Sequence, residues 1–507
     1  MLGLFDKKSD HPMADIKSAQ KLLEDLPKND ALKALHELTT WVESVREQAE
    51  FRLDHQLAVL RLLDETARPF ERKLTREYFV AGALSEFQEN RLWMALNEFF
   101  AQVVQAYLSV LARYRNSDKG SSAIKPALPF IAVRGIWAVA GRLKCAAVHH
   151  APVDEAIWAS MAEFYTHAEA QQYLDEPVSL YSGSGANTSV RCEFSSVLMW
   201  YASSAGTLNR LQMHLAERLM AHLCKNYIVS QQCEPGSLLG FDLLHPVLPA
   251  RVSAETAPKP GLLFLGVNKL QPHIEALLKT LEKNIVPEEI NLGGIYEASA
   301  VREAALHMAD SLTPPLPSRR NARRNIKANL SVANGFSKIM EQTDASLSFG
   351  DFTSITWQVE DISTGGLSCV SPASQAKGVV IGSLIGIRPE KVDRWGVGIV
   401  RRLRRDQQNN LHIGLEMLTN QVTGVGLRGH NADEEQPALW LHNSGDDAGE
   451  IRLLMNPDTF SSNRSLHAKV AGKNYLLMPL ALMEKGADYD LARFRKIEED
   501  TSEGEAY

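Results

Sequence analysis

The chain has 507 residues, 45% of them hydrophobic and 23% charged, an ordinary soluble-globular balance with length for about three domains that each bury a core. Its formal net charge of −7 argues against bulk nucleic-acid binding, which needs a broadly basic surface, so any anion site has to be local. The five cysteines (Cys145, Cys192, Cys224, Cys233, Cys369) are scattered without a C-x-x-C or a histidine at ligand spacing, which argues against a zinc site or a disulfide framework and fits a reducing compartment.

In chain order, residues 1–14 (MLGLFDKKSDHPMA) lack the basic region and apolar core of a secretory signal and are read as a flexible N-terminus. With no window approaching the roughly 18 uninterrupted apolar residues of a membrane span, the expected location is cytoplasmic, without membrane insertion. Residues 15–311 read as an all-α helical domain. Leu32, Leu35, Leu38, Val42, Val45, Ala49 and Leu53 recur at steps of three and four, one apolar helix face, with Pro27, Asn29 and Asp30 supplying its start. Similar patterns run through 92–111, 194–223 and 274–281, and turn-rich breaks fall at 116–122, 183–188 and 234–237. Gly183-Ser184-Gly185 lacks a preceding strand and a third glycine, so it is read as an interhelical loop and not a phosphate loop. His149-His150 is read as surface, since adjacent histidines leave a helix on different faces.

At 312–318 (LTPPLPS) three prolines in seven residues end the helical text and mark a stiff linker. Beyond it the apolar period becomes two. Ile326, Ala328, Leu330 and Val332 alternate with polar residues, as do Ile355, Trp357 and Val359, then Trp395, Val397 and Ile399, then Leu411, Ile413, Leu415 and Met417. These are half-buried strands of a small barrel over 319–427. Residues 437–496 form a further β-rich section, and 497–507 an acidic, disordered tail. The fold class is α+β multidomain: an N-terminal all-α region, an antiparallel β-barrel and a second β-rich section.

Two features in the barrel carry chemistry. Arg319-Arg320-Asn321-Ala322-Arg323-Arg324 puts four arginines in six residues directly after the linker. Arginine forks pair bidentately with phosphate, and the same fork matches the O6/N7 edge of guanine. At the end of a strand, Asp361-Ile362-Ser363-Thr364-Gly365-Gly366 combines a carboxylate, hydroxyls and glycines. A carboxylate there reads the N–H edge of guanine, and glycine lets backbone approach closely. Arg401-Arg402-Leu403-Arg404-Arg405 is read as the charged end of a hairpin that lends field to the anion site.

An R-x-x-x-R stretch before a first strand, followed by [D/N]-x-S-x-x-G after a second, resembles the signature of the PilZ family. Arg319 and Arg323 match the first element, with Arg320 and Arg324 as the alternative register; Asp361, Ser363 and Gly366 match the second. Ile326 and Ala328, taken as inward residues, favour Arg319/Arg323. The 38 positions from Arg323 to Asp361 exceed the family's usual spacing, and the excess is assigned to a hairpin extension over 340–352. The resemblance implies a PilZ barrel and a non-enzymatic receptor for cyclic di-GMP with no cofactor. Its binding residues would be Arg319, Arg320, Arg323, Arg324, Asp361, Ser363 and Gly366, and its output an altered helical domain offered to an unidentified protein partner. Two alternatives stay open: an interaction scaffold with a degenerate barrel, and a single-stranded nucleic-acid binder, for which only Trp357 and Trp395 supply aromatic faces in the barrel.

Overall fold

The computed structural model describes residues 10–80, 84–182, 187–253, 255–312, 323–343, 355–429, 435–442 and 449–499. The chain divides into two units, residues 1–149 with 153–317, and residues 150–152 with 318–507.

The first unit is a helical assembly of α1 (Ile16–Glu24), α2 (Ala31–Arg46), α3 (Leu53–Val80), α4 (Glu86–Arg115), a single turn α5 (Ser121–Ile124), α6 (Leu128–Val148), α7 (Glu155–Ala170), α8 (Val190–Ser204), α9 (Arg210–Leu223), α10 (Gln271–Leu281) and α11 (Ala298–Leu312). Helix α2 starts where its turn residues predict, with the Asp30 carboxylate accepting from the Lys33 amide at 3.1 Å. Its apolar face buries Leu35, Leu38, Val42 and Val45, but the helix ends at Arg46 and Leu53 opens α3 instead. The 194–223 pattern is likewise two helices, broken around Gly206, whose φ is +76°. Met13 is fully buried and His11 hydrogen-bonds Ser44, so the packed part of the chain begins earlier than the expected flexible segment 1–14 allows.

Helix α6 lies in the middle of this core. Ser121–Val148 is long and apolar enough to cross a membrane by length and composition, yet 67% of its most apolar window is buried inside the unit. Gly135 brings it against α7: a Cβ there would stand 2.1 Å from the Phe164 ring. Arg134, fully buried on α6, donates to Asp64 at 2.8 Å and to Glu65 at 2.6 Å, while Tyr107 and Tyr181 also donate to Asp64 at 2.6 and 2.9 Å. A buried charge is tolerated because each polar atom of Asp64 is engaged.

Two features of this unit escape the helical pattern. A four-stranded antiparallel sheet of order β3-β6-β4-β5 occupies 228–266, with β3 (Ile228–Ser230), β4 (Ser237–Asp242), β5 (Ala250–Arg251) and β6 (Leu262–Gly266); a short β1–β2 pair (Val178–Ser179, Asn187–Thr188) precedes it. The fully buried Leu-Leu-Phe-Leu run of β6 shows no alternation, so period alone does not separate it from a core helix. Cys192 and Cys224 form a disulfide with Cα atoms 5.3 Å apart, against the expectation of separate thiols: successive helices α8 and α9 set the first turn of one beside the end of the other.

Among the described residues the second unit is all β apart from one helix and a short 3-10 turn. Its strands are β7 (Arg324–Asn325), β8 (Asn329–Asn334), β9 (Ile355–Ser363), β10 (Gly366–Pro372), β11 (Leu384–Pro389), β12 (Gly396–Arg405), β13 (Asn410–Thr419), β14 (Gln421–Gly429), β15 (Gln436–His442), β16 (Glu450–Met455), β17 (Leu466–Val470), β18 (Lys473–Lys485) and β19 (Asp490–Glu499). Strands β10-β13-β12-β11-β8-β9 close on themselves through the β9–β10 hairpin, with β7 added outside β9, and β14-β15-β16-β19-β18-β17 close a second barrel. The further β-rich section is thus a barrel of its own, and β14 belongs to it, so the first barrel ends at Thr419 and not at 427. Ile497 pairs with Leu476 inside that barrel, so the expected tail from 497 is strand up to Glu499; residues 500–507 lie outside the described residues.

The first barrel is filled by Leu330, Trp357, Val359, Cys369, Ile385, Val400, Leu403 and Ile413. A second apolar cluster, including Val397, Ile399, Leu384, Val422, Leu441 and Tyr489, joins the two barrels along a seam. The register break in β12 between Val400 and Arg402 carries this division, turning Val397 and Ile399 to the seam and Val400 and Leu403 into the first barrel. The excess length before β9 holds a helix, α12 (Phe336–Thr343), where a hairpin was expected; residues 344–354 lie outside the described residues. Phe336, Ile339 and Met340 have helical spacing and pack into the seam, and Asp488 from the second barrel accepts from the Phe336 amide at 2.8 Å.

Candidate ligand-binding site

Of the residues singled out above, Arg319 and Arg320 lie outside the described residues, as does Gly183-Ser184-Gly185 with the proline segment 313–318. Arg323, Arg324, Asp361, Ser363 and Gly366 are described, and the barrel brings them to one edge. Strand β7 runs antiparallel to the end of β9, pairing Arg324 with Ile362 and Asn325 with Asp361. This delivers Arg323 to Asp361, with Nη1 donating to both carboxylate oxygens at 3.0 Å. The pair is half-exposed, Arg323 at 45% and Asp361 at 21%.

The expectation that Ile326 and Ala328 point inward is corrected: both are exposed. The chain follows the rim of β9 there, Ile326 donating to the Glu360 carbonyl and Ala328 accepting from Val359 at 2.8 Å, and turns into the core only at Leu330. The register Arg319/Arg323 therefore loses that support, while Arg323 itself has the carboxylate contact.

Ser363 and Gly366 face each other across the β9–β10 hairpin, whose turn is Thr364-Gly365. The Ser363 hydroxyl donates to the Gly366 carbonyl at 3.1 Å, and the Met417 amide ties the Gly365 carbonyl to β13. A Cβ on Gly366 would stand 2.5 Å from the Leu415 carbonyl oxygen, so any side chain forces the hairpin off its neighbour.

Two cavities open on the hairpin. One, of about 690 Å³, is lined by Arg323, Ser363, Gly365 and Gly366 and also by Arg401, Arg402, Arg404 and His412. The other, of about 880 Å³, lies between the barrels and adds Arg394, Trp440, His442 and Lys496 to Ser363, Thr364 and Gly366. The 401–405 run was expected as a charged hairpin end; its residues divide. Arg401 is held between Glu416 at 2.8 Å and Glu484 at 2.6 and 2.8 Å, linking the two barrels. Desolvation works against its charge, but those carboxylates push its pKa above the ordinary arginine range. Arg402 and Arg404 turn to the first cavity. Beside them His412 bridges Glu360 at 2.9 Å and Asp406 at 3.2 Å, and Ser368 donates to Glu360 at 3.1 Å. The Asn410 amide, hydrogen-bonded to Asp406, leads in drawing that carboxyl down to about 2. Sequence reasoning missed His412 and Ser368. Their only signal was outward parity on strands, which any solvated face shares.

Arginine facing carboxylate across a rim, with a glycine hairpin beneath, provides forks for phosphate and an acceptor for a base edge. Trp357 and Trp395 are buried, at 1% and 6% exposure, so neither presents the stacking face that a single-strand binder requires. Among the described residues no group of His, Cys, Asp and Glu is arranged to hold a metal ion. His149 stacks on Trp93 with ring centroids 4.5 Å apart.

Comparison with known families agrees with this geometry. Residues 17–232 match the model of the cyclic-di-GMP receptor FimW, N-terminal domain, and residues 297–423 match the cyclic-di-GMP receptor FimW, middle PilZ domain. No curated protein matches the chain. The two matched regions are consecutive parts of one receptor architecture and together span more than half of the sequence. The chain belongs to the family of cyclic-di-GMP receptors in which a helical N-terminal domain precedes a PilZ barrel, a receptor and not an enzyme.

Proposed function

We propose that this receptor holds cyclic di-GMP through Arg319, Arg320, Arg323, Arg324, Asp361, Ser363 and Gly366, and passes the binding event to a protein partner through its helical unit. The observation that carries the assignment is the Arg323–Asp361 pair, in which both halves of the motif meet at 3.0 Å although 38 residues apart. It disfavours a degenerate scaffold, whose arginines would have no reason to stay at the carboxylate.

The arginines lie next to the segment that joins the two units, so a ligand clamped by them restrains that segment. For this to signal, the ligand must favour one arrangement by a few kcal/mol, since equal affinity shifts nothing. The proposed setting is cytoplasmic, without membrane insertion; Ser121–Val148, the stretch among the described residues with the length and hydropathy of a span, is mostly buried within the helical unit and carries the buried Arg134. The test is isothermal titration of cyclic di-GMP into the full chain and into the Arg323→Ala/Asp361→Ala variant. Micromolar or tighter binding, about −8 kcal/mol, that disappears in the variant supports the assignment. Absence of binding to the unaltered chain refutes it.

A further inference from the structure

The cavity beside the motif has a second arginine wall that no motif marks. Strands β9, β10, β13 and β12 lie side by side, so the barrel face from Arg323 to β12 spans three to four strand spacings, on the order of 14–19 Å between backbones. Gly366, Ser368 and Gly414 stand on the floor between, with His412 and Glu416 beside them. Gly366 pairs with Glu416, Ser368 with Gly414, and Gly414 in turn with Arg402. A Cβ on Gly414 would stand 3.1 Å from the Arg402 Cβ, so its absence keeps the floor flat beside that arginine.

At the far side Arg402 and Arg404, two residues apart on one strand and both exposed, line the same cavity as Arg323 and Ser363. Their neighbours are neutralised: Arg401 is held by Glu416 and Glu484, and Glu360 is engaged by His412 and Ser368. Arg402 and Arg404 have no ion-pair or hydrogen-bond partner from their side chains among the described residues. In a chain of net charge −7, two uncompensated guanidiniums facing a cavity form a local site for an anion.

We propose that the cyclic di-GMP site extends across the barrel face to Arg402 and Arg404, so that one phosphodiester lies at Arg323 and the other, with its sugar, at β12. This rests on the assignment of cyclic di-GMP to the motif, and it adds ligand contacts that the motif does not contain. A ligand with two separated phosphodiesters over a flat central floor fits two cationic walls; a single phosphate engages only one.

The experiment is isothermal titration of cyclic di-GMP into the full chain, Arg402→Ala/Arg404→Ala, Arg402→Lys/Arg404→Lys and Arg323→Ala, each at two salt concentrations. The alanine pair is expected to weaken binding at least tenfold and to reduce its salt dependence, with the lysine pair recovering part of the affinity. An alanine pair within twofold of the unaltered chain, while Arg323→Ala loses binding, overturns the extension and leaves the motif assignment standing. Loss in the alanine pair with Arg323→Ala unaffected supports the second wall and overturns the motif assignment. Both arginines are exposed, so folding should survive; should the alanine pair not fold, the single Arg402→Gln and Arg404→Gln variants carry the test with the same thresholds.

Discussion

The Arg323–Asp361 pair separates a binding role from a stabilising one by magnitude. Both side chains keep solvent contact, at 45% and 21% exposure, so their attraction is screened and contributes under about 1 kcal/mol to folding. Replacing Arg323 with alanine should therefore lower the melting temperature by no more than about 2–4 °C. On the proposed assignment the same guanidinium makes charge-assisted hydrogen bonds to phosphate or base, each worth roughly 1.5–3 kcal/mol. Loss of one such bond weakens Kd roughly 10- to 150-fold. Asp361→Asn is more informative still, because it removes the charge that holds Arg323 and replaces one of the two oxygens that would accept from the guanine N–H edge with a donor. If Asp361 reads the base, the asparagine variant loses affinity as steeply as Arg323→Ala; if it only holds Arg323 in place, it loses much less. Titration calorimetry on both variants and the double variant closes a double-mutant cycle, and melts of the same samples report stability. A Kd within twofold of the unaltered chain in Arg323→Ala would refute the assignment, and a melting-temperature loss well above 5 °C would show that the pair is structural.

Gly366→Ala, with its Cβ 2.5 Å from the Leu415 carbonyl, should cost roughly 1–3 kcal/mol of barrel stability by overpacking and weaken ligand binding by shifting Ser363, readable as paired changes in denaturant midpoint and Kd. Asp64→Ala leaves the fully buried Arg134 with Glu65 as its carboxylate and takes the acceptor from Tyr107 and Tyr181, so the helical unit should lose roughly 3 kcal/mol or more, seen as an early helical transition in circular dichroism with the β unit intact. His214 is held neutral by burial, with Lys144 and Arg218 adding to the effect, its pKa down to about 3. The unfolded chain thus binds an extra proton between about 6.5 and about 3. Stability of the helical unit is accordingly full above pH 6.5 and falls as pH drops through that window, Glu217 (held down to about 2 by Lys144 and Arg218 against its own desolvation) acting in the same direction. His214→Gln should flatten the upper part of the pH–melting curve; an unchanged curve would refute the linkage.

The sequence by itself determined which kind of unit each half forms, and it determined the motif. Asp30 before an apolar stripe at helical spacing, and alternating Trp357/Val359 or Ile413/Leu415, are local signals, because a helix face and a strand face each follow from backbone geometry within a few residues. Arg323, Asp361, Ser363 and Gly366 were legible for a related reason: hairpin chemistry and phosphate-binding forks are properties of short segments. Tertiary structure alone decided what those segments meet. Whether the alternation begins at Ile326 or Leu330 depends on how far β7 follows the rim of β9 before entering the barrel. Whether β14 closes the first barrel or opens the second depends on partners up to 41 residues away, such as Ala468 opposite Leu427. The five-residue run 401–405 divides between an inter-barrel bridge and a cavity wall because a bulge in β12 sets which arginines face Glu484 and which face Ser363. These are long-range choices. In a barrel each strand's neighbours are fixed by closure of the whole sheet, and closure is not written in any one strand.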